Sequence, residues 1–240
     1  MISILLNSRA ESRENKGGVV EFLNSAFAST NDPKNIEIIF KFDCDDRIAV
    51  NQFLDYHQKN PELQIKCVVT QRYYYKGLHL GYFECFKIIN NKSKIITCMA
   101  DDFIFCKKNW ELELLEKISS LNRNELYTVQ NFIGDSAERV PICPMWSPKI
   151  IEICEGFGPI FATDGWSLKI NQLLKSINPK NIIMHDICVN RLACHLDGPD
   201  NARWGTDRAG ALSFLNSNEF HDIAENYNEK LKNYHNNLYL

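Results

Sequence analysis

The chain has 240 residues, of which 45% are hydrophobic and 24% are charged, and its formal net charge is -3. This composition is that of an ordinary globular protein and excludes a disordered or membrane-embedded chain. The small negative charge gives no reason to expect nucleic acid or an anionic membrane as a partner. The length allows one large α/β domain or two small ones, and we expect a single domain over residues 1–240 with a C-terminal appendage.

The cysteines and the N-terminal segment indicate the cellular compartment. The nine cysteines form no CxxC pair, and several lie inside apolar runs as small hydrophobic residues do. The first six residues, MISILL, are too short for the core of a signal peptide, and no stretch approaches the ~18 apolar residues of a membrane span. We therefore expect a cytoplasmic protein without a transmembrane segment.

The first 70 residues alternate between β-rich apolar runs and helical patterns. The pattern predicts three strands, Ile2–Leu6, Ile36–Phe42 and Ile65–Thr70, and two helices, one near Val19–Phe27 and one over Asp46–Gln58. The second strand ends in Asp43, Asp45 and Asp46. A βαβαβ order is typical of a parallel sheet with right-handed crossovers.

A helical pattern from Leu78 to Ile89 leads into the apolar run Lys94–Phe105, KIITCMADDFIF, which Asp101 and Asp102 interrupt. An apolar run without alternation predicts a central strand that is covered on both faces. In open parallel sheets, ligands bind at the carboxyl ends of the strands. Two adjacent carboxylates at such an end are easiest to keep ionised beside a divalent cation, which indicates a metal site. The alternative interpretation is that the two aspartates only form a turn.

The remaining elements are less regular. We expect a helix over Trp110–Leu121, a strand over Glu125–Gln130 and a loop through GDSAERVPICPMWSP at 134–148. One or two helical turns at Lys149–Cys154, a helix near Trp166–Ile177 with Asp164 just ahead of it, and a strand at Asn181–Met184 complete the sheet. A helix over Asn218–Tyr234 ends a polar tail. The fold class is therefore α/β, with a central, mostly parallel sheet and a polar C-terminal helical tail.

Two common phosphate-binding motifs are missing. The sequence has no GxGxxG and no GxxxxGK[ST], so it encodes no backbone cradle for phosphate of the Rossmann or P-loop type. A diphosphate would instead need a metal held by carboxylates and basic side chains such as Arg9, Arg13, Lys16 or Lys76.

Four segments follow one another along the chain: ISILLNSR, IEIIFKFDCDD, CMADDF and, just before a helix, FATDGW. A chain with these segments in this order resembles the nucleotide-sugar glycosyltransferases of the GT-A fold, especially the inverting family 2 type. The resemblance covers roughly residues 1–185 and implies a three-layer fold with a nucleotide-binding half at 1–130, an acceptor-side half at 131–210 and a tail at 211–240. It implies a UDP- or GDP-sugar donor, a glycan or other hydroxyl acceptor, and Mn or Mg as cofactor.

The same resemblance implies roles for residues on the donor side. Asn7, Ser8 and Arg9 match the loop that meets the nucleotide base and phosphates, and Asp43, with Asp45 and Asp46 nearby, matches the acid that holds the base or ribose. We also expect Lys76 to help bind the donor phosphates.

The metal-binding DxD-type motif of that family matches Asp101 and Asp102. This chain departs from the motif, because Met99 stands where the first acid belongs and the sequence reads ADD. Asp101 is thus the better candidate for a metal ligand, and Asp102 is expected to assist it or the donor.

Asp164 matches the catalytic base of the family, and a helix N-cap is its alternative role. His185 matches a histidine that completes the metal shell in several GT-A enzymes, although a hydrogen-bonded loop residue is the simpler interpretation. A zinc site formed by His185, His195 and Asp197 has no supporting motif. Trp166 fits either an acceptor platform or the buried face of its helix.

Two other functions fit the same fold class. One is a nucleotidyltransferase, which would make the sugar nucleotide rather than use it. Such enzymes carry a glycine-rich basic loop after the first strand. In this chain that loop is NSRAESRENKGG, which has only two glycines, both at its end. A non-catalytic carbohydrate- or partner-binding domain is the other alternative.

Overall fold

The computed structural model describes residues 1–8, 18–73, 77–130, 143–158, 163–185, 189–191, 210 and 213–238, without the side chains of 163–165, 184 and 189–191. Two sheets are found in this part of the chain. The larger has seven strands in the order β3-β2-β1-β4-β7-β6-β8, and the smaller pairs β5 with β9. The strands are β1 Ile2–Ser8, β2 Ile36–Asp43, β3 Ile65–Thr70, β4 Ile95–Ala100, β5 Phe103–Phe105, β6 Thr128–Gln130, β7 Met145–Trp146, β8 Ile182–Met184 and β9 Val189–Arg191.

The large sheet is mostly parallel, as the sequence predicts. β1 pairs in parallel with β2 and β4, and β2 pairs in parallel with β3. β7 is antiparallel to both β4 and β6, so β6 and its parallel partner β8 run in the same direction as β4. The carboxyl ends of β1 to β4, β6 and β8 therefore lie at one edge of the sheet, which we call the carboxyl rim.

Helices cover both faces of this sheet. Their bounds are α1 Val19–Ser29, α2 Arg47–Lys59, α3 Leu78–Phe86, α4 Trp110–Lys117, α5 Pro148–Cys154, α6 Thr163–Ile177 and α7 Asn218–Leu238. α1, α2 and α4 bury their apolar faces in the cluster on one face, which we call the α1 face. α3, α5, α6 and α7 do so on the other, the α3 face. The predicted three-layer α/β fold is confirmed.

The central strands form because their residues are apolar on both sides. All eight residues of β2 are buried, and Phe40 and Phe42 pack on α1 and α2 while Ile39 packs on the α3 face. Burying an aromatic or branched aliphatic side chain stabilises the fold by about 1.5–3 kcal/mol. Side chains that alternate between two apolar layers thus fix the register of the strands and, with it, the residues at the carboxyl rim.

The structure corrects one expectation. The segment at 134–148 is not loop throughout, because Met145 and Trp146 form β7 in the middle of the sheet. A strand of two residues has no periodicity that a sequence pattern can detect. The predicted C-terminal helix is present as Asn218–Leu238, and it buries an apolar stripe against α5 and α6 through Phe220, Ala224 and Leu231. Within the described residues, no helix is both long and apolar enough to cross a membrane.

Candidate active site

Strand register brings the predicted acids to one rim. Ser8, the last residue of β1, lies opposite Phe42 of β2, and Asn7 lies opposite Ala100 of β4. Asp43 and Asp101 are the next residues of those two partner strands. Both therefore lie at the carboxyl rim on either side of β1, which is where ligands bind in open parallel sheets.

Asp101 and Asp102 form the turn between β4 and β5, and both are buried, with 1% and 3% of their surface exposed. The Ser8 hydroxyl donates a hydrogen bond to Oδ2 of Asp101 over 2.5 Å. The backbone N–H of Gly18, the N-cap of α1, donates to the Asp101 carbonyl over 3.2 Å. Asp101 thus connects β4 with the end of β1 and the start of α1.

Asp43 belongs to a second, charge-balanced group at the rim. Its carboxylate forms an ion pair with the buried Lys41 ammonium, and the Arg72 Nε lies 3.5 Å from Oδ2 of Asp43. Arg72 also pairs with Asp45, at 2.7 Å between Nη2 and Oδ2. The Lys41 ammonium lies 4.8 Å from the centre of the Tyr73 ring, within the range of a cation–π contact. Two positive and two negative charges therefore offset each other beside an aromatic ring.

The two acidic groups lie on opposite faces of the sheet. Phe42 packs on the α1 face, so the alternation along β2 directs Asp43 to the α3 face. Leu6 also packs on the α1 face, so Ser8 and its partner Asp101 lie on that side. β2 and β4 are two strand spacings apart, or roughly 9–10 Å. Asp43 is therefore not a candidate ligand for a cation held by Asp101.

Asn7 joins β1 to α3 rather than projecting from the rim. Its Nδ2 donates a hydrogen bond to the Leu78 carbonyl over 2.9 Å. Gly81 allows this contact, since a Cβ at that position would lie 1.9 Å from Oδ1 of Asn7. The expected contact of Asn7 with a nucleotide stays a prediction, but its amide already has a structural partner.

Replacing Gly81 by alanine should therefore destabilise the fold, although alanine normally favours a helix. We expect Gly81→Ala to lower the free energy of unfolding by ~2 kcal/mol through overpacking, measured by urea denaturation. Gly210→Ala is the matched control, because a Cβ at Gly210 meets no atom of the described residues within 4 Å. In an Asn7→Ala background the cost of Gly81→Ala should largely disappear, and simply additive costs would contradict the steric explanation.

His185 is buried where β8 ends. Its backbone N–H donates to the Gln130 carbonyl over 3.1 Å, and its side chain is hydrogen-bonded to the backbone of Trp110 at the start of α4. Burial, followed by the charges of Lys117 and Lys107, lowers the pKa of His185, which favours the neutral imidazole. β8 lies three strands from β4 in the sheet. Its role as metal ligand stays a prediction.

Among the described side chains, no three histidine, cysteine, aspartate or glutamate residues gather into a group that could hold a metal ion. The oxygen donors at Asp101 and Asp102 are of the type that Mg and Mn prefer. The two carboxylates thus fit a divalent cation that takes its remaining ligands from a bound substrate or water.

Asp164 is the second residue of α6, so it lies inside the first turn rather than in the N-cap position. The helix leads through a 3-10 turn at Pro179–Asn181 into β8, which runs in the same direction as β4. A helix that precedes such a strand runs in the opposite direction to the strand, so the helix begins on the side of the carboxyl rim. The backbone of Asp164 is therefore expected on the carboxyl-rim side of the sheet. Trp166 is buried against Phe220 and Tyr227, as the packing interpretation predicts.

Several residues implicated by the sequence fall outside the described part of the chain. These are Arg9, Arg13, Lys16, Lys76, His195 and Asp197. The structure also adds two residues that the motifs did not identify, Lys41 and Arg72. A lysine two positions before an aspartate on one strand lies on the same face, so the spacing of Lys41 and Asp43 was a usable signal for their ion pair.

Comparisons with known proteins are consistent with this fold. No family model matches the chain, and no curated protein matches it in sequence. Among solved structures, a mannosyltransferase from Pyrobaculum calidifontis, in complex with GDP-Man and Mn2+, is similar with a TM-score of 0.61 at 11% identity, over 98% of this chain and 69% of that one.

Two further solved structures are similar. TarS from S. aureus has a TM-score of 0.54 at 13% identity, over 98% of this chain and 71% of that one. Glucosyl-3-phosphoglycerate synthase from Mycobacterium tuberculosis, in complex with Mn2+, UDP and phosphoglyceric acid, has a TM-score of 0.52 at 11% identity, over 90% and 78%. These neighbours are nucleotide-sugar glycosyltransferases of the GT-A type. The chain has the GT-A fold.

Proposed function

We propose that the protein transfers a sugar from a nucleoside diphosphate sugar to an acceptor hydroxyl, with Mn or Mg and with inversion at the anomeric carbon. The observation that carries this proposal is the buried Asp101–Asp102 pair at the carboxyl end of the central strand β4. Fold alone does not define an activity, so the proposal depends on the chemistry of this rim. Carboxylate oxygens are the ligands that Mg and Mn prefer, so two adjacent carboxylates at this rim suit a divalent cation.

The two acidic groups suit the two ends of one nucleotide. The group of Asp43, Arg72 and Tyr73 offers charged hydrogen-bonding groups and an aromatic ring, which suit a base and ribose. Asp101, on the other side of β1, suits the diphosphate through a cation. Solved neighbours hold UDP or GDP-Man, and both bases remain candidates here. Arg9 and Lys76 are proposed to neutralise the donor phosphates.

A cation at Asp101 and Asp102 would offset the negative charge that develops on the departing diphosphate. The protein's own part is to hold the two carboxylates at the rim and to exclude water from their buried sides. Asp102 is proposed to assist Asp101, and His185 is a further candidate ligand as a neutral imidazole.

Asp164 is proposed as the general base. Its carboxylate would accept the proton of the acceptor hydroxyl while that oxygen attacks the anomeric carbon and the bond to the diphosphate breaks. Inverting transfer needs one base on the face opposite the leaving group and no covalent enzyme intermediate. The start of α6 at the carboxyl rim supports this assignment.

The proposal is tested by incubating the protein with a panel of UDP- and GDP-sugars and Mn2+, and measuring nucleoside diphosphate release, with EDTA as the control. We expect slow hydrolysis of one donor that stops when the metal is removed. Formation of a nucleoside triphosphate from sugar nucleotide and pyrophosphate would instead indicate a nucleotidyltransferase. If no donor raises the thermal midpoint, a non-catalytic binding domain is the better conclusion.

A further inference from the structure

Ser8 contacts the carboxylate that the proposed function assigns to the metal. Ser8 is 4% exposed and Asp101 is 1% exposed, and the Ser8 Oγ donates to Oδ2 of Asp101 over 2.5 Å. The register of β1 and β4 produces this contact, because Asn7 lies opposite Ala100 and the next residue of each chain stands at the rim.

Asp101 is held at two different points. The N–H of Gly18 fixes its main-chain carbonyl, and the hydroxyl of Ser8 fixes one oxygen of its side chain. The hydrogen bond from Ser8 limits rotation of the Asp101 carboxylate about its side-chain bonds. Groups that hydrogen-bond to a metal ligand set its orientation, and losing one typically weakens metal binding about 10–100-fold.

We propose that Ser8 is a positioning residue, whose hydroxyl holds the Asp101 carboxylate in the orientation that binds the divalent cation. Its hydroxyl proton is directed at Asp101, so Ser8 does not use it to contact the donor's base or phosphates. This inference rests on the proposed function, since it requires that Asp101 bind a metal. It differs from that function in predicting which step of binding fails when Ser8 is changed.

The test measures Mn2+ and nucleotide binding separately in Ser8→Ala. Free Mn2+ is followed by electron paramagnetic resonance in the presence of UDP or GDP, whichever the unmodified protein binds. We expect the dissociation constant for Mn2+ to rise about 10–100-fold, while nucleotide affinity measured without metal stays unchanged. Ser8→Thr keeps the hydroxyl and should restore Mn2+ binding. If Ser8→Ala folds poorly, Ser8→Cys keeps the volume and offers only a weak donor.

Ser3→Ala is the matched control. Ser3 lies on the same strand, is fully buried, and donates to the buried carboxylate of Glu37 over 2.6 Å at the opposite edge of the sheet. It should lower the thermal midpoint as Ser8→Ala does, but leave Mn2+ binding unchanged.

Other outcomes separate this inference from the proposed function. If Ser8→Ala binds Mn2+ as the unmodified protein does, or loses nucleotide affinity without metal to the same extent, the positioning role is overturned and the proposed function stands. If the unmodified protein binds no Mn2+ with either nucleotide, the proposed metal-dependent function is overturned and this inference with it.

Discussion

Replacing Asp101 by asparagine is expected to lower sugar transfer by about a thousandfold or more. Loss of metal-bound charge at the diphosphate removes several kcal/mol of transition-state stabilisation, and each 1.36 kcal/mol corresponds to a factor of ten in rate. An amide has nearly the same shape as a carboxylate and still accepts the hydrogen bond from Ser8. The change therefore removes the charge of Asp101 without removing its packing.

The measurement compares initial rates of nucleoside diphosphate release, and donor affinity with and without Mn2+, in Asp101→Asn and in the unmodified protein. The matched control is Asp46→Asn, at another fully buried aspartate that follows β2. Asp46 caps α2 by accepting from the N–H of Ala49 over 3.1 Å, and asparagine caps a helix equally well. Asp46→Asn should keep its activity. Unchanged metal-dependent donor binding in Asp101→Asn would show that the metal lies elsewhere.

The position of Asp101 was predictable from the sequence because its signals are local. An apolar run without alternation marks β4 as a central strand, and two adjacent acids mark the position where that apolar run is interrupted. The βαβαβ order then determines which edge of the sheet those acids occupy. Strand ends and helix periodicity were sufficient to locate Asp43 and Asp101 at one rim.

The contacts of those acids were not predictable, because they depend on strand register and tertiary packing. The hydrogen bond from Ser8 to Asp101 joins residues 93 positions apart. Similarly, Asn7 donates to the Leu78 carbonyl of α3, a contact that depends on the missing side chain of Gly81. No pattern within one strand reports which neighbour a side chain meets across the sheet.

Asp164→Asn is expected to retain donor binding and to lower transfer about 10²–10⁴-fold, which is the typical contribution of a general base. The reason is positional. α6 begins at the carboxyl rim, and Asp164 is in its first turn. An amide there cannot take the proton of an acceptor hydroxyl, whereas the proposed donor site is formed by residues of β1, β2 and β4 on the other half of the rim.

Donor affinity is measured by calorimetry with Mn2+, and turnover by nucleoside diphosphate release with the acceptor present. Glu219→Gln removes an acid from the first turn of α7, so it controls for the loss of a favourable charge near a helix N-terminus, worth about 0.3–1 kcal/mol. Near-normal turnover in Asp164→Asn would remove this residue as the base, and weakened donor binding would assign it to the donor. A product with an inverted anomeric centre, seen by nuclear magnetic resonance, is required by the single-base mechanism, because the activated acceptor oxygen attacks the face opposite the departing diphosphate.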